Sequence, residues 1–358
     1  MATRNKVQPV PNGDNRVMNL LKGVAAGVAL AALFGCAAPS SIKVAEVGSF
    51  HVGGRAVTLS GLPEKELVFS PGAPPLKLNP NGDFEVEALY ARYTKLASPK
   101  ATIPMLLWHG GGLAGTTFET KPDGSPGWEN YFLRAGYDVY VSDAVERGRA
   151  SWARYPEIFK SEPFFRPKKE AWELFRIGPT YEVGGKRVAF EGQQFPIEAF
   201  DQFGKQGIPR WATNDAATQK AYDALVQKVC PCIIVVHSQG GNFGFTAALN
   251  APDKVKALIA VEPSGAPDPA KVEAAKVKGV PHLIVWGDNI DKHSVWPRIA
   301  ANPIKWGEAI KAAGGTADTF DLPKMGIKGN THMLMMDKNS DDIAKLVGDW
   351  IAKQGLVN

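Results

Sequence analysis

Residues 236–240, Val-His-Ser-Gln-Gly, place a serine where a strand is expected to meet a helix. The apolar run at 233–236 predicts a buried strand, and a sharp turn after it would project the Ser238 hydroxyl above the sheet edge. There the serine can act as a nucleophile. The usual pattern for such a turn is G-x-S-x-G, and Val236 replaces its first glycine. The amide of Gln239 faces a site where an oxyanion would form.

A glycine-rich segment earlier in the chain supplies a second signal. His109-Gly110-Gly111-Gly112, called the oxyanion segment below, follows the apolar run at 105–108. Esterases and lipases of the α/β-hydrolase fold carry an H-G-G-G segment at this place, where backbone amides bind a developing oxyanion. Residues 147–151, RGRAS, also resemble the R-G-x-G-x-S loop common in that fold. The sequence therefore predicts acyl-transfer chemistry.

A general base should follow the last strand, because the partners of this fold come in the order serine, acid, histidine. Among six histidines, only His332 lies there. His51 lies in an early predicted strand, His109 in the oxyanion segment and His237 beside the serine. His282 begins a later predicted strand, and His293 follows that strand. We predict His332 as the base and His237 as a packing residue.

The acid has three candidates. Asp288 and Asp291 lie at the end of the strand predicted from PHLIVWGDNID (281–291), the commonest place, whereas Glu262 lies at the end of the strand before it. A carboxylate at either strand end could reach His332, because parallel strands end at the same edge of the sheet. From the residues alone, Asp288 or Asp291 ranks ahead of Glu262.

The elements that must position these residues alternate in a regular way. Strand segments at 105–108, 137–151 (a strand with its loop), 232–238, 255–263 and 281–288 alternate with amphipathic helical segments, which predicts an α/β fold with a mostly parallel sheet covered on both faces. Residues 48–96 instead alternate between apolar and polar positions, as antiparallel strands do.

One region interrupts the alternation. Residues 150–212, called the aromatic insertion below, contain thirteen aromatic residues together with many prolines and charges. We predict that this insertion forms a cap over the carboxyl edge of the sheet and lines a pocket. The alternative is a structural flap that contributes only core.

The N-terminal 36 residues have the pattern of an export signal. Four basic residues and one acid precede Gly23–Gly35, thirteen uncharged residues that are too few to span a bilayer comfortably. Leu33-Phe34-Gly35-Cys36 resembles a bacterial lipobox, so Cys36 is a candidate lipid anchor, and ordinary cleavage after residues 35–38 stays open. We expect a periplasmic or secreted protein, or an outer-membrane lipoprotein.

Composition excludes several other classes. The chain has 358 residues, of which 44% are hydrophobic, and a net charge of +5. Most of that charge lies in residues 1–36, and the rest has no basic run, so a nucleic-acid partner is not expected. No pattern predicts a cofactor or a metal.

Because a bridge across Pro231 would be strained, Cys230 and Cys232 are expected to act as small apolar residues.

Four blocks together resemble a known family: 109–149, 235–244, 261–265 and 329–337. They are similar to secreted bacterial α/β-hydrolase esterases, typified by an Alcaligenes esterase with a disulfide between adjacent cysteines at its oxyanion hole. The resemblance covers roughly residues 45–355. It implies an α/β-hydrolase domain over 45–358 and makes a homodimer reasonable.

The resemblance also assigns roles. It places the nucleophile on Ser238, the base on His332, the oxyanion amides on Gly111 and Gln239, and the acid on Glu262 in preference to the two aspartates. The cysteine pair of the family falls on Gly111-Gly112, so its disulfide is absent from that place.

The expected function is hydrolysis of carboxylic esters through an acyl-enzyme, without a cofactor. The substrates expected are small to medium esters, with the aromatic insertion favouring aromatic groups. Two alternatives stay open. One is an envelope binding protein that has this fold but does not turn over a substrate. The other is a hydrolase of an amide, a thioester or a C–C bond, because the fold does not determine the substrate.

Overall fold

The computed structural model describes residues 41–150 and 152–357. The predicted signal segment 1–36, with Cys36, and Ser151 of the RGRAS loop lie outside the described residues. The strands, in chain order, are β1 (Val44–Leu59), β2 (Lys65–Leu67), β3 (Leu76–Leu78), β4 (Gly82–Leu96), β5 (Met105–Trp108), β6 (Val139–Asp143), β7 (Thr180–Tyr181), β8 (Arg187–Val188), β9 (Cys232–His237), β10 (Val255–Val261), β11 (His282–Trp286) and β12 (Ala317–Asp321).

Eight of these strands form one sheet in the order β1-β4-β6-β5-β9-β10-β11-β12. The six strands from β6 to β12 in that order run parallel, whereas β4 pairs antiparallel with both β1 and β6. β5, β9 and β11 are buried along their whole length, because helices cover both faces of the sheet. The predicted α/β-hydrolase fold, with its early antiparallel strands, is confirmed.

The helices lie in the connections between strands, except α9, which follows the last strand. They are α1 (Thr116–Glu119), α2 (Trp128–Ala135), α3 (Lys168–Leu174), α4 (Phe200–Gly204), α5 (Asp215–Val229), α6 (Gly240–Asn250), α7 (Ala274–Val277), α8 (Trp296–Ala312) and α9 (Ser340–Lys353). α2 ends at Gly136, which adopts a φ of 104° and whose amide donates to the carbonyls of Phe132 and Leu133. Among the described helices, none is long and apolar enough to cross a membrane.

The carboxyl ends of the central strands place the candidate residues at one edge of the sheet. The oxyanion segment follows β5, Ser238 follows β9, and Glu262 follows β10. His332 lies between β12 and α9. In open α/β sheets this edge is where ligands bind.

The aromatic insertion contains α3, the β7–β8 hairpin and α4. Its largest aromatic side chains pack on one another, with the Trp172 and Phe200 rings edge to face at 4.9 Å and Phe195 fully buried. These contacts give the insertion an apolar core of its own. Its function as a cap stays a prediction.

Cys230 and Cys232 form a disulfide across Pro231. The expectation that they act only as small apolar residues is wrong, because the bend at Pro231 brings their Cα atoms to 4.4 Å, within the range that disulfides use. The bridge lies at the start of β9, at the opposite end of that strand from Ser238.

Gly244 of α6 lies where the helix packs closely on the sheet. A Cβ atom at Gly244 would stand 2.7 Å from a methyl group of Val236 and 3.0 Å from one of Leu258. We expect Gly244→Ala to lower the free energy of unfolding by roughly 1–3 kcal/mol, because these buried side chains cannot move aside. Urea denaturation measures the change.

Gly348 of α9 is the matched control, since a Cβ atom there would have no atom within 4 Å. Gly348→Ala should leave the protein equally stable or raise the unfolding free energy by about 0.5–1 kcal/mol. Equal destabilisation by both substitutions would contradict the packing explanation.

Candidate active site

Ser238 occupies a strained turn between β9 and α6. Its φ of 52° lies in the left-handed region, which a serine adopts only when its surroundings impose it. The Ser238 amide donates to the Val261 carbonyl at 3.0 Å, and its own carbonyl accepts from the Gly241 and Ser264 amides at 2.9 and 3.0 Å. The side chain is therefore held at the apex of the turn, as a nucleophile requires.

The oxyanion segment packs against this turn without space for side chains. A Cβ atom at Gly110 would stand 2.8 Å from the Cβ of Ser238, and one at Gly240 would stand 2.9 Å from the His109 carbonyl oxygen. A Cβ atom at Gly111 would lie 3.1 Å from the side-chain oxygen of Gln239. The structure thus brings Gly111 and Gln239 together beside Ser238.

His332 contacts a carboxylate that lies one strand earlier than the commonest position. Its Nδ1 is 3.0 Å from Oε2 of Glu262. The Asp288 carboxylate instead accepts hydrogen bonds from the Asn289 and Gly329 amides at 2.7 and 2.9 Å, and Asp291 is exposed. Of the three candidate acids, only Glu262 contacts His332.

Burial and charge determine how these two groups are protonated. Burial alone would raise the pKa of Glu262, but the nearby Arg176 charge and the hydrogen bond from His332 outweigh it and lower that pKa to about 2. Burial lowers the pKa of His332 to about 4, although Glu262 opposes the shift. At neutral pH His332 is therefore uncharged and donates its Nδ1 proton to the carboxylate, which leaves Nε2 free to accept a proton.

Arg176 completes the environment of the carboxylate, and no sequence pattern indicated it. Its Nη2 donates to Oε1 of Glu262 at 2.6 Å, and its Nε donates to the Asp288 carbonyl at 2.7 Å. The guanidinium is fully buried and lies 4.5 Å from the centroid of the Trp296 ring. It belongs to the aromatic insertion, so this insertion supplies a charge to the centre of the site.

Two further histidines hold the surrounding loops. The Nε2 of His237 donates to the His332 carbonyl at 2.9 Å, and the two rings lie 4.6 Å apart. The Nε2 of His109 accepts from the Ala144 amide at 3.0 Å, and its Nδ1 donates to the Gly110 carbonyl at 2.8 Å. Burial lowers the pKa of both histidines, so both are uncharged at neutral pH.

Comparisons with known proteins identify relatives of the chain. No protein-family model matches it. The structure is similar to that of a novel bacterial esterase solved at atomic resolution, with 32% sequence identity, a TM-score of 0.76, and 88% of this chain and 98% of that chain covered. The sequence is also similar to a probable secreted lipase, phiG, from Fungal sp. (strain ATCC 74256). The two are 26% identical over 340 aligned residues, and the alignment covers 76% of this chain and 88% of the relative.

The buried Arg176–Glu262 pair gives a stability prediction. Arg176→Met should lower the free energy of unfolding by about 3–5 kcal/mol, because it leaves a buried carboxylate without its charged partner. Adding Glu262→Gln to that variant should restore part of the loss, because no buried charge then remains. Urea denaturation of both single variants and the double variant gives the coupling energy.

Arg187→Met is the control. Arg187 belongs to the same insertion, but its salt bridge with Asp201 is partly exposed to solvent. The substitution should lower the unfolding free energy by no more than about 1 kcal/mol. Strictly additive effects of Arg176→Met and Glu262→Gln would contradict a direct ion pair.

Proposed function

This chain is a carboxylic ester hydrolase of the esterase and lipase family of α/β-hydrolases, and on that premise we propose that Ser238, His332 and Glu262 form its catalytic triad. The observation that carries the proposal is the 3.0 Å contact between His332 Nδ1 and Glu262 Oε2, at the same sheet edge as Ser238. This contact orients the imidazole and stabilises the charge it gains during the reaction.

The reaction proceeds by acyl transfer. His332 Nε2 takes the proton from the Ser238 hydroxyl as Oγ attacks the ester carbonyl carbon. The tetrahedral intermediate then collapses, and the alcohol departs with that proton. Water attacks the resulting acyl-serine, His332 again accepts a proton, and the carboxylic acid leaves as the serine is regenerated.

The Gly111 and Gln239 amides bind the oxyanion of each tetrahedral intermediate. Removing one such donor typically raises the barrier by roughly 3–4 kcal/mol. The place that the resemblance gives to the cysteine pair of the family is Gly111-Gly112 in this chain. Close packing of Gly110 on Ser238 supports the same segment in this chain.

We further propose that residues 45–358 form the hydrolase domain, with residues 150–212 as a cap that selects small to medium esters, including aromatic ones. The aromatic side chains of the insertion and the contact of its Arg176 with Glu262 support this assignment. The cap then contributes to both substrate access and the triad.

Export through residues 1–36 is also proposed. The basic leader, the apolar segment behind it and the word "secreted" in the name of the fungal relative support it. Cys36 is the proposed site of a lipid anchor, and a homodimer is the proposed assembly.

Labelling with a fluorophosphonate, followed by intact mass measurement, tests the nucleophile. Wild type should gain one adduct and Ser238→Ala none, because the probe bonds only to a serine activated by a base and an oxyanion site. Ser264→Ala is the control, since Ser264 lies beside the same turn and donates its amide to the Ser238 carbonyl. It should label like wild type.

Folded wild type that gains no adduct would overturn the acyl-enzyme proposal and favour a binding protein with this fold. An adduct on wild type together with turnover of an amide, a thioester or a C–C substrate, but of no ester in a broad panel, would contradict the proposed bond type.

A further inference from the structure

Two arginines of the aromatic insertion lie directly against the oxyanion segment. A Cβ atom at Gly111 would stand 3.1 Å from Nη1 of Arg210, and one at Gly112 would stand 3.8 Å from Nε of Arg166. Both guanidinium groups therefore border the backbone to which we assign the oxyanion, and a substrate bound at Ser238 would lie beside them.

Backbone hydrogen bonds hold this arrangement together. The Phe164 amide donates to the Arg210 carbonyl at 2.6 Å, and the Arg210 amide donates back at 2.9 Å. The Ile208 amide donates to the Gly112 carbonyl at 2.8 Å. The segment that carries Arg210 is thus hydrogen-bonded both to the segment that precedes Arg166 and to the oxyanion segment.

Each guanidinium has one buried N–H group without a hydrogen-bond acceptor among the described residues. Arg166 pairs with Glu170, whereas Nη2 of Arg210 is 3.8 Å from an Asp215 oxygen that also accepts from the Gln239 side chain at 3.1 Å. The Nε atoms of both arginines are buried without an acceptor among the described residues. Such N–H groups are unfavourable, and an anionic group bound between the arginines would relieve them.

The two positive charges also act on each other. Burial lowers the pKa of Arg210, and the charge of Arg166 adds to that shift while Asp215 opposes it. Two like charges beside the neighbouring glycines Gly111 and Gly112 favour a negative ligand group, because it interacts with both at once.

A pocket beside Gly112 gives such a group a place to bind. It is a small cavity of about 30 Å³, with Arg166, Lys168, Phe175 and Phe203 in its lining, and Arg210 lies outside that lining. The Arg166 guanidinium lies 5.8 Å from the centroid of the Phe175 ring, and that ring lies 5.3 Å from the His332 ring. The pocket is therefore separated from the proposed base by one aromatic ring.

We propose that Arg166 and Arg210 bind a carboxylate carried by the substrate, so that the preferred substrates are esters with a free carboxylate. This inference rests on the proposed ester hydrolysis at Ser238. A guanidinium presents a planar set of donors that matches the two oxygens of a carboxylate.

Matched pairs of esters test the proposal on the full chain. One pair is 4-acetoxybenzoate and phenyl acetate, and the other is monoethyl adipate and ethyl hexanoate, so that each compound has a single ester bond. Acid release measured at neutral pH gives kcat/KM for each ester, and the readout is the ratio of the charged to the neutral member. The ratio cancels any general effect of a substitution on the catalytic step.

We expect Arg166→Gln/Arg210→Gln to lower this ratio at least tenfold for one pair or both, with the loss mainly in KM, because hydrogen bonds to a charged group contribute about that much. The single variants should each lower it less. Arg298→Gln is the control, since it removes an exposed arginine of α8, and it should leave the ratio unchanged.

An unchanged ratio for both pairs in a folded double variant that still hydrolyses the neutral esters would overturn the carboxylate site and leave the proposed function intact. A wild type that hydrolyses none of the four esters and gains no fluorophosphonate adduct would instead overturn the proposed function. If the double variant does not fold, the same ratio is measured on the two single variants. A lower ratio in them then supports the carboxylate site, and an unchanged ratio in both overturns it.

Discussion

A fully buried carboxylate, Glu262, is the group on which the rest of the site depends. An isolated charge in a protein interior is very unfavourable, so it must be paired and hydrogen-bonded. Arg176, the Gly287 amide and His332 meet this requirement. They come from the aromatic insertion, from the loop after β11 and from the loop after β12. One buried charge thus brings three distant parts of the chain to a single point and determines the orientation of the imidazole.

Backbone strain is concentrated at the same place. Ser238, Glu262 and Arg176 all adopt φ values between 51° and 57°, a region that these residue types seldom use. Each is held there by backbone hydrogen bonds, such as those of Ser238 with Val261 and Gly241. Strained residues persist where the surrounding structure enforces them, and they cluster at functional sites. Here the strain directs the Ser238 and Glu262 side chains to one edge of the sheet.

The sequence predicted the strands and the serine turn well, because continuous apolar runs and glycines are local signals. The choice of Glu262 over Asp288 depended on the family resemblance, since both carboxylates end neighbouring parallel strands. In the structure the contact of Glu262 with His332, 70 residues away in the sequence, distinguishes them. Arg176 itself has no local signal, because its burial depends on how the insertion folds. The Cys230–Cys232 bridge was missed because the local bend at Pro231 is not apparent from spacing.

The most direct test of this account compares kcat/KM of Glu262→Gln and Asp288→Asn for a neutral ester. Both substitutions replace a carboxylate by an amide of nearly the same size. We expect a loss of roughly 10⁴-fold for Glu262→Gln, because the amide cannot hold the imidazole in the required tautomer, and a much smaller loss for Asp288→Asn. A loss for Asp288→Asn equal to or greater than that for Glu262→Gln would contradict the account.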